Sequence, residues 1–98
     1  MPPSRLSRKV LRVISRRGAF EVLDALAQGP IRFSDLEARL GMAPRTLSER
    51  LREFSALGFV RREAFAEVPP RVEYILTPRG KRVLNFFEQM DSIWEGEE

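Results

Sequence analysis

The chain of 98 residues contains no cysteine and no histidine. Thiol nucleophiles, disulfides, thiol-based redox sensing, zinc sites with nitrogen or sulfur ligands and imidazole general bases are therefore excluded by inventory. An enzyme would have to run on carboxylates, Lys9, Lys81, Tyr74 or hydroxyls, and no constellation of these is present, so no catalytic residue, metal ligand or cofactor is assigned. Long apolar runs are also missing. No stretch approaches membrane-spanning length, and the N-terminus lacks the apolar core of a signal peptide. A soluble, cytoplasmic protein with no membrane partner is expected. Lysine is scarce as well: fifteen of the seventeen cations are arginine. That bias suits bidentate contact with phosphate and guanine edges and ion pairing in a heat-stable protein, and it equally suits a GC-rich genome.

What is present fits one domain, residues 1–98, with a single modest core. At this size an added interface contributes much to stability, which favours a dimer. The net charge is +3, but its placement is uneven. Arg5, Arg8, Lys9, Arg12, Arg16 and Arg17 form a basic head without an acid, whereas Glu88, Asp91, Glu95, Glu97 and Glu98 form an acidic tail.

Met1 to Ser4, with two prolines, reads as a loose arm. From Arg5 to Arg16, Leu6, Val10, Val13 and Ile14 repeat at the spacing of one helical face. After Gly18 a second helix, Ala19 to Ala27, carries Phe20, Leu23, Leu26 and Ala27 as its inward stripe, and Gln28-Gly29-Pro30 stops it. Ile31-Arg32-Phe33 is too short for an independent strand but could add a third edge to a small sheet. Ser34-Asp35-Leu36-Glu37 has the form of a capping box, placing a helix start at Ser34 or Asp35 and its end at Gly41. Pro44 then sits at the first position of a fourth helix, where its missing N–H costs nothing.

In that helix Leu47, Leu51, Phe54 and Leu57 form the inward stripe, while Arg45, Glu49 and Arg52 project to the opposite side with Thr46 and Ser48 flanking them. Gly58 caps it, with Phe59 folding back in the Schellman manner. The period then changes to alternation. Val60 to Phe65 and Val72 to Leu76 read as a hairpin whose connection, Ala66 to Arg71, holds two prolines and projects as a stiff loop. Thr77-Pro78 starts a last helix to about Trp94, with Val83, Phe87, Met90 and Trp94 on one side and Leu84, Phe86 and Ile93 widening the stripe. So wide an apolar face calls for a partner, and a twin subunit is the simplest one. Gly96 to Glu98 should fray.

The fold class is therefore α+β and mostly helical: a winged helix-turn-helix, with the helix-turn-helix at 34–57, the wing at 59–76, and additional helices at about 5–17 and 78–94. The runs Arg32-Phe33-Ser34-Asp35-Leu36, Leu47-Ser48-Glu49-Arg50-Leu51-Arg52-Glu53, Gly58-Phe59-Val60, Glu67-Val68-Pro69-Pro70-Arg71-Val72-Glu73-Tyr74 and Leu76-Thr77-Pro78-Arg79-Gly80 are similar to the HxlR-type branch of the MarR-like winged-helix transcription factors. The resemblance covers about residues 19–85, and the wing is its most specific piece. It implies a homodimeric regulator of double-stranded DNA, with the fourth helix in the major groove and the wing in or beside the minor groove. It also implies dimerisation through the terminal helices, which assigns Leu6, Val10, Val13, Phe86, Phe87, Met90, Ile93 and Trp94 to the interface.

Two departures matter. Many members sense electrophiles or oxidants with an N-terminal cysteine, and this chain has none. The cap of the recognition helix, often Ser, is Ala43, a loss of about 1 kcal/mol that Pro44 partly offsets.

Arg45 stands where groove-inserted helices meet base edges, and it fits bidentate contact with guanine O6 and N7 or contact with phosphate alone. Thr46 and Ser48 fit a phosphate or a base. Glu49 fits cytosine N4, or an arginine that it orients, Arg45 or Arg52; as an i, i+4 partner of Arg45 it would simply support the helix. Arg71 is placed in or beside the minor groove, and Arg62 and the helix start at Ser34 on phosphates. A two-fold dimer implies a pseudo-palindromic site with half-sites about 10 bp apart or a multiple of that. Two other readings remain: a sequence-tolerant architectural or replication-associated winged helix, and a protein-interaction module. The operator, the sign of regulation and any small-molecule effector are not encoded in a readable form.

Overall fold

The computed structural model describes residues 4–96. Helices α1 (Arg5–Ile14) and α2 (Ala19–Leu26) lead into a short strand, β1 (Ile31–Arg32), followed by α3 (Phe33–Leu40) and α4 (Pro44–Ala56). Strands β2 (Val60–Phe65) and β3 (Arg71–Leu76) form the hairpin, and α5 (Pro78–Ser92) completes the order of a winged helix-turn-helix with an additional helix at its end. Of the loose arm expected at Met1 to Ser4 and the fraying expected at Gly96 to Glu98, residues 1–3 and 97–98 lie outside the described residues. Ser4 does not belong to an arm: its hydroxyl accepts the Ser7 amide at 3.1 Å and caps α1.

The sheet has the order β1-β3-β2 and is antiparallel throughout. Ile31 lies opposite Tyr74 and Arg32 opposite Glu73, so the short segment before α3 does supply the third edge. In the hairpin the register runs from Val60 opposite Leu76 to Phe65 opposite Arg71. Because Arg71 is already paired, the wing loop is one residue shorter than expected, spanning residues 66–70, all exposed.

One apolar core joins the helices to the root of the hairpin. Val22, Leu23, Leu26, Leu36, Leu47 and Phe54 are fully buried there, and Phe59, Val60 and Leu76 close it from the sheet side. Two local expectations are corrected. In α2 the buried face is Ala19, Val22, Leu23 and Leu26, the i, i+3, i+4, i+7 set, widened by Ala25, so Phe20 is rotated out and Ala27, the C-cap, is exposed. Phe20 instead meets Phe87 of α5 edge to face, with ring centroids 5.2 Å apart. The capping box at Ser34 does not form. Strand pairing holds Arg32 extended (φ −76°, ψ 155°) as the N-cap, α3 begins at Phe33, and Ser34 is already helical, so it cannot take the extended cap conformation.

The two ends of the wing meet at a tight joint. Gly58, at φ 77°, ends α4 in a Schellman motif: the Phe59 amide donates to Phe54 O at 2.8 Å and the Gly58 amide to Ser55 O at 3.1 Å. Thr77 caps α5 by accepting the Gly80 amide at 3.1 Å, and the same hydroxyl donates to Gly58 O at 2.5 Å, while its own amide donates to Phe59 O at 3.0 Å. Gly80 is buried against this joint, and a Cβ there would be driven into the carbonyl oxygen of Phe59 and the Leu76 side chain. Gly80→Ala is expected to destabilise the chain by about 1–3 kcal/mol, because backbone cannot yield as a side-chain tip does. Urea unfolding checks this, and an unchanged midpoint would show that the joint is looser than its packing implies.

Candidate nucleic-acid interface

Helix α4 divides its residues as the stripe requires. Leu47, Leu51 and Phe54 are buried and Leu57 is half-buried, while Arg45, Ser48 and Arg52 are exposed and Thr46 and Glu49 are half-buried on the outer side. The helix starts at Pro44 with Ala43 as an N-cap that offers no side-chain hydrogen bond. Arg45 Nε lies 3.5 Å from Glu49 Oε1, and the Arg45 side chain is 92% exposed. A pair this open is worth only a few tenths of a kcal/mol, so the guanidinium can exchange Glu49 for a base or a phosphate at little cost.

A shallow cleft of about 570 Å³ separates α4 from β2 and is lined by Ser48, Arg52, Ser55, Arg61, Arg62 and Tyr74, over Leu51 and Val60. Two of the residues assigned to DNA contact from the sequence, Arg52 and Arg62, both line it. It adds Arg61, Ser55 and Tyr74, which sequence reasoning missed. In the sequence Tyr74 stands in a strand alternation with no sign of a surface role, and its side chain reaches the cleft from β3, the central strand of the sheet. Arg61 is weakly held, with Glu63 Oε2 3.8 Å away.

Ser34 is exposed in the first turn of α3. Arg71 is less free than a projecting wing residue. Its guanidinium stacks 4.0 Å above the Phe65 ring, its Nε lies 3.1 Å from Glu67 Oε2 without hydrogen-bond alignment, and its Nη1 lies 3.8 Å from Glu73. These contacts tie the two strands together at the base of the loop, and any contact with DNA would have to replace the Glu67 pairing. At the loop tip itself Val68 is fully exposed.

A second surface lies between the first and last helices. A groove of about 570 Å³ is walled by Leu6, Val10, Leu11, Ile14, Val83 and Phe86, with Arg79 and Arg82 beside it. Leu6 is 63% exposed, Phe86 44%, Ile93 64% and Trp94 63%, with Met90 also exposed. Of the residues assigned to an interface, Val13 is the exception: it is buried as a member of the chain's own core cluster and offers no surface to a partner. Phe87 is half-buried against Phe20. Among the described residues there is no cluster of potential metal ligands and no helix long and apolar enough to cross a membrane.

A family model described as HxlR-like helix-turn-helix matches residues 13–97. The helix-turn-helix transcriptional regulator YtfH of Escherichia coli (strain K12) is 41% identical over 78 residues, which is 79% of this chain; the chain spans 62% of that relative's length. Among solved structures, a transcriptional regulator of the MarR family from Enterococcus faecalis V583 is similar at a TM-score of 0.82 and 35% identity, covering 97% of this chain and 89% of that one. The reduced form of the transcriptional regulator YodB from B. subtilis superimposes at a TM-score of 0.86 over 98% of this chain and 95% of that one; at 23% identity the likeness bears on the fold alone.

Proposed function

The chain belongs to the HxlR-like helix-turn-helix family, and from that premise we propose that it is a sequence-specific regulator of transcription that binds double-stranded DNA as a homodimer. The carrying observation is the outer face of α4, where exposed Arg45, Ser48 and Arg52 run into the arginine-lined cleft with β2, while the inner face is spent on the core. A helix so divided fits the major groove, with Arg45 at base edges and Thr46, Ser48 and Glu49 reading or supporting beside it. Arg52, Arg62 and Ser34 then meet phosphates, and the wing reaches towards the minor groove. The apolar faces of α1 and α5 and the turn that follows α5 supply the dimer contact through Leu6, Val10, Phe86, Phe87, Met90, Ile93 and Trp94, which makes the operator pseudo-palindromic. Such a protein acts in the cytoplasm.

Selection of bound genomic fragments, followed by competition between a selected duplex and random duplex, tests this reading. The selected site is expected to bind at least about 10³-fold more tightly than random sequence. Equal affinity would overturn it in favour of a sequence-tolerant architectural protein, and no binding to either would favour a protein-interaction module. Salt titration separates the roles of the arginines. Arg62→Ala is expected to reduce the slope of log K against log salt by about 1 for each protomer while leaving the sequence preference in place.

A further inference from the structure

Arg50 is the one buried charged residue among the described residues, only 8% exposed, and it sits on the inner side of α4. Its Nε donates to the carbonyl of Arg17 at 2.9 Å, and its Nη1 donates to Glu53 Oε1 at 2.6 Å. Glu53 in turn holds Arg16 Nε at 3.0 Å through its other oxygen. The network therefore ties the recognition helix to the corner between α1 and α2. The helix-turn-helix meets that corner a second time: the Met42 side chain packs over Gly18, which has φ 80° and no side chain of its own. The same α1 ends at this corner, where Val13 and Ile14 anchor it, and it carries the wall of the apolar groove at Leu6, Val10 and Leu11.

A buried ion pair is poor evidence for stability, because an apolar side chain of the same volume is often as good or better. What it supplies is direction. Apolar contacts tolerate sliding, whereas a planar guanidinium on α4 that donates to a carbonyl of the corner, and is itself held by a carboxylate three residues along its own helix that also pairs with Arg16, fixes a bearing between the two elements. We infer that Arg50 and Glu53 are positioning residues that fix the angle between the recognition helix and α1, and so set the half-site spacing that the dimer accepts. This rests on the dimeric, DNA-binding reading above. The Arg16 contact is the outer, solvent-screened part of the device, since its side chain is half exposed.

Arg50→Met and Glu53→Gln test it. Each is assayed by selection from libraries in which two half-sites are separated by varied spacings, by binding to random duplex, and by urea unfolding. In parallel, spin labels on cysteines introduced as Lys9→Cys and Ser55→Cys, in a chain that has no native cysteine, measure the α1 to α4 distance within one protomer, diluted with unlabelled chain. The expected result is a broadened distance distribution and a roughly tenfold loss of preference for the wild-type spacing, with random-duplex affinity held within about twofold. Glu53→Gln, which retains the Arg50 contact to Arg17, covers the case in which Arg50→Met does not fold. Retention of both the spacing preference and the narrow distribution overturns the inference. So does a parallel fall of specific affinity, random-duplex affinity and stability, which a merely structural role would give. If the wild-type chain itself shows no spacing preference, the dimeric operator reading fails, and the distance distribution alone then decides whether Arg50 and Glu53 fix the helix angle.

Discussion

The double variant Phe86→Glu, Ile93→Glu is expected to remain folded, to lose the dimer, and to bind a full operator about 10²- to 10⁴-fold more weakly, the gain that linking two half-site contacts supplies. Phe86 stands on α5 and Ile93 at its C-cap, both exposed and outside the core cluster, so the charges can reach water in the monomer and would be covered by apolar surface in a dimer. Placed opposite a two-fold copy, four added carboxylates would face apolar walls and one another. Sedimentation measures the mass, circular dichroism the fold, and a mobility shift on full and half operators the binding. A variant that stays dimeric would place the interface elsewhere. One that becomes monomeric yet keeps full affinity would remove the two-fold operator from the reading.

Arg45→Ala is expected to lower affinity for the selected site by about 2–6 kcal/mol per dimer, or roughly 30-fold to 10⁴-fold, since each bidentate guanine contact contributes about 1–3 kcal/mol. Affinity for random duplex should fall far less. Stability should scarcely change, because Arg45 is almost wholly in solvent and its pairing with Glu49 is open to water. Re-selection with the variant is the sharper measurement: a preference that survives unchanged would reassign Arg45 to phosphate. Loss of Glu49 makes a useful companion, because Glu49→Ala should relax the preference only if the carboxylate orients an arginine or meets a base.

The helices and hairpin were legible because their signals are short-range and redundant. Leu47, Leu51 and Phe54 declare a face, Gly58 with Phe59 declares its end, and Thr77-Pro78 declares the next beginning. Ser34 was misread because a cap depends on what precedes it. The pairing of Arg32 with Glu73 is a contact between segments far apart in the chain, and it moved the helix start upstream. Phe20 was misplaced through a one-position error in phase, which in a helix of 8 residues is enough to turn a large side chain outward. Arg50 occupied the i+3 place of the α4 stripe, between Leu47 and Leu51, but a rule that sends charge outward hid it; what buries it is the carbonyl of Arg17, which no local pattern announces. Arg71 was read from the prolines before it and not from Phe65, its cross-strand neighbour.

The joint between Gly58 and Thr77 makes the wing a lever clamped at one end. Val60 and Leu76 are sealed in the core at its root, whereas the loop beyond Phe65 and Arg71 lies outside the core and is stiffened by their mutual stacking, the Glu67 pairing, the Glu67 amide's bond to Phe65 O and the two prolines. A strand of 6 residues reaches about 20 Å, so a rotation of about 5° at the root would carry the tip by about 2 Å. Groove widths that vary by that much from one sequence to another could then be met by elastic tilt of the arm, with the α4 helix left in its seat.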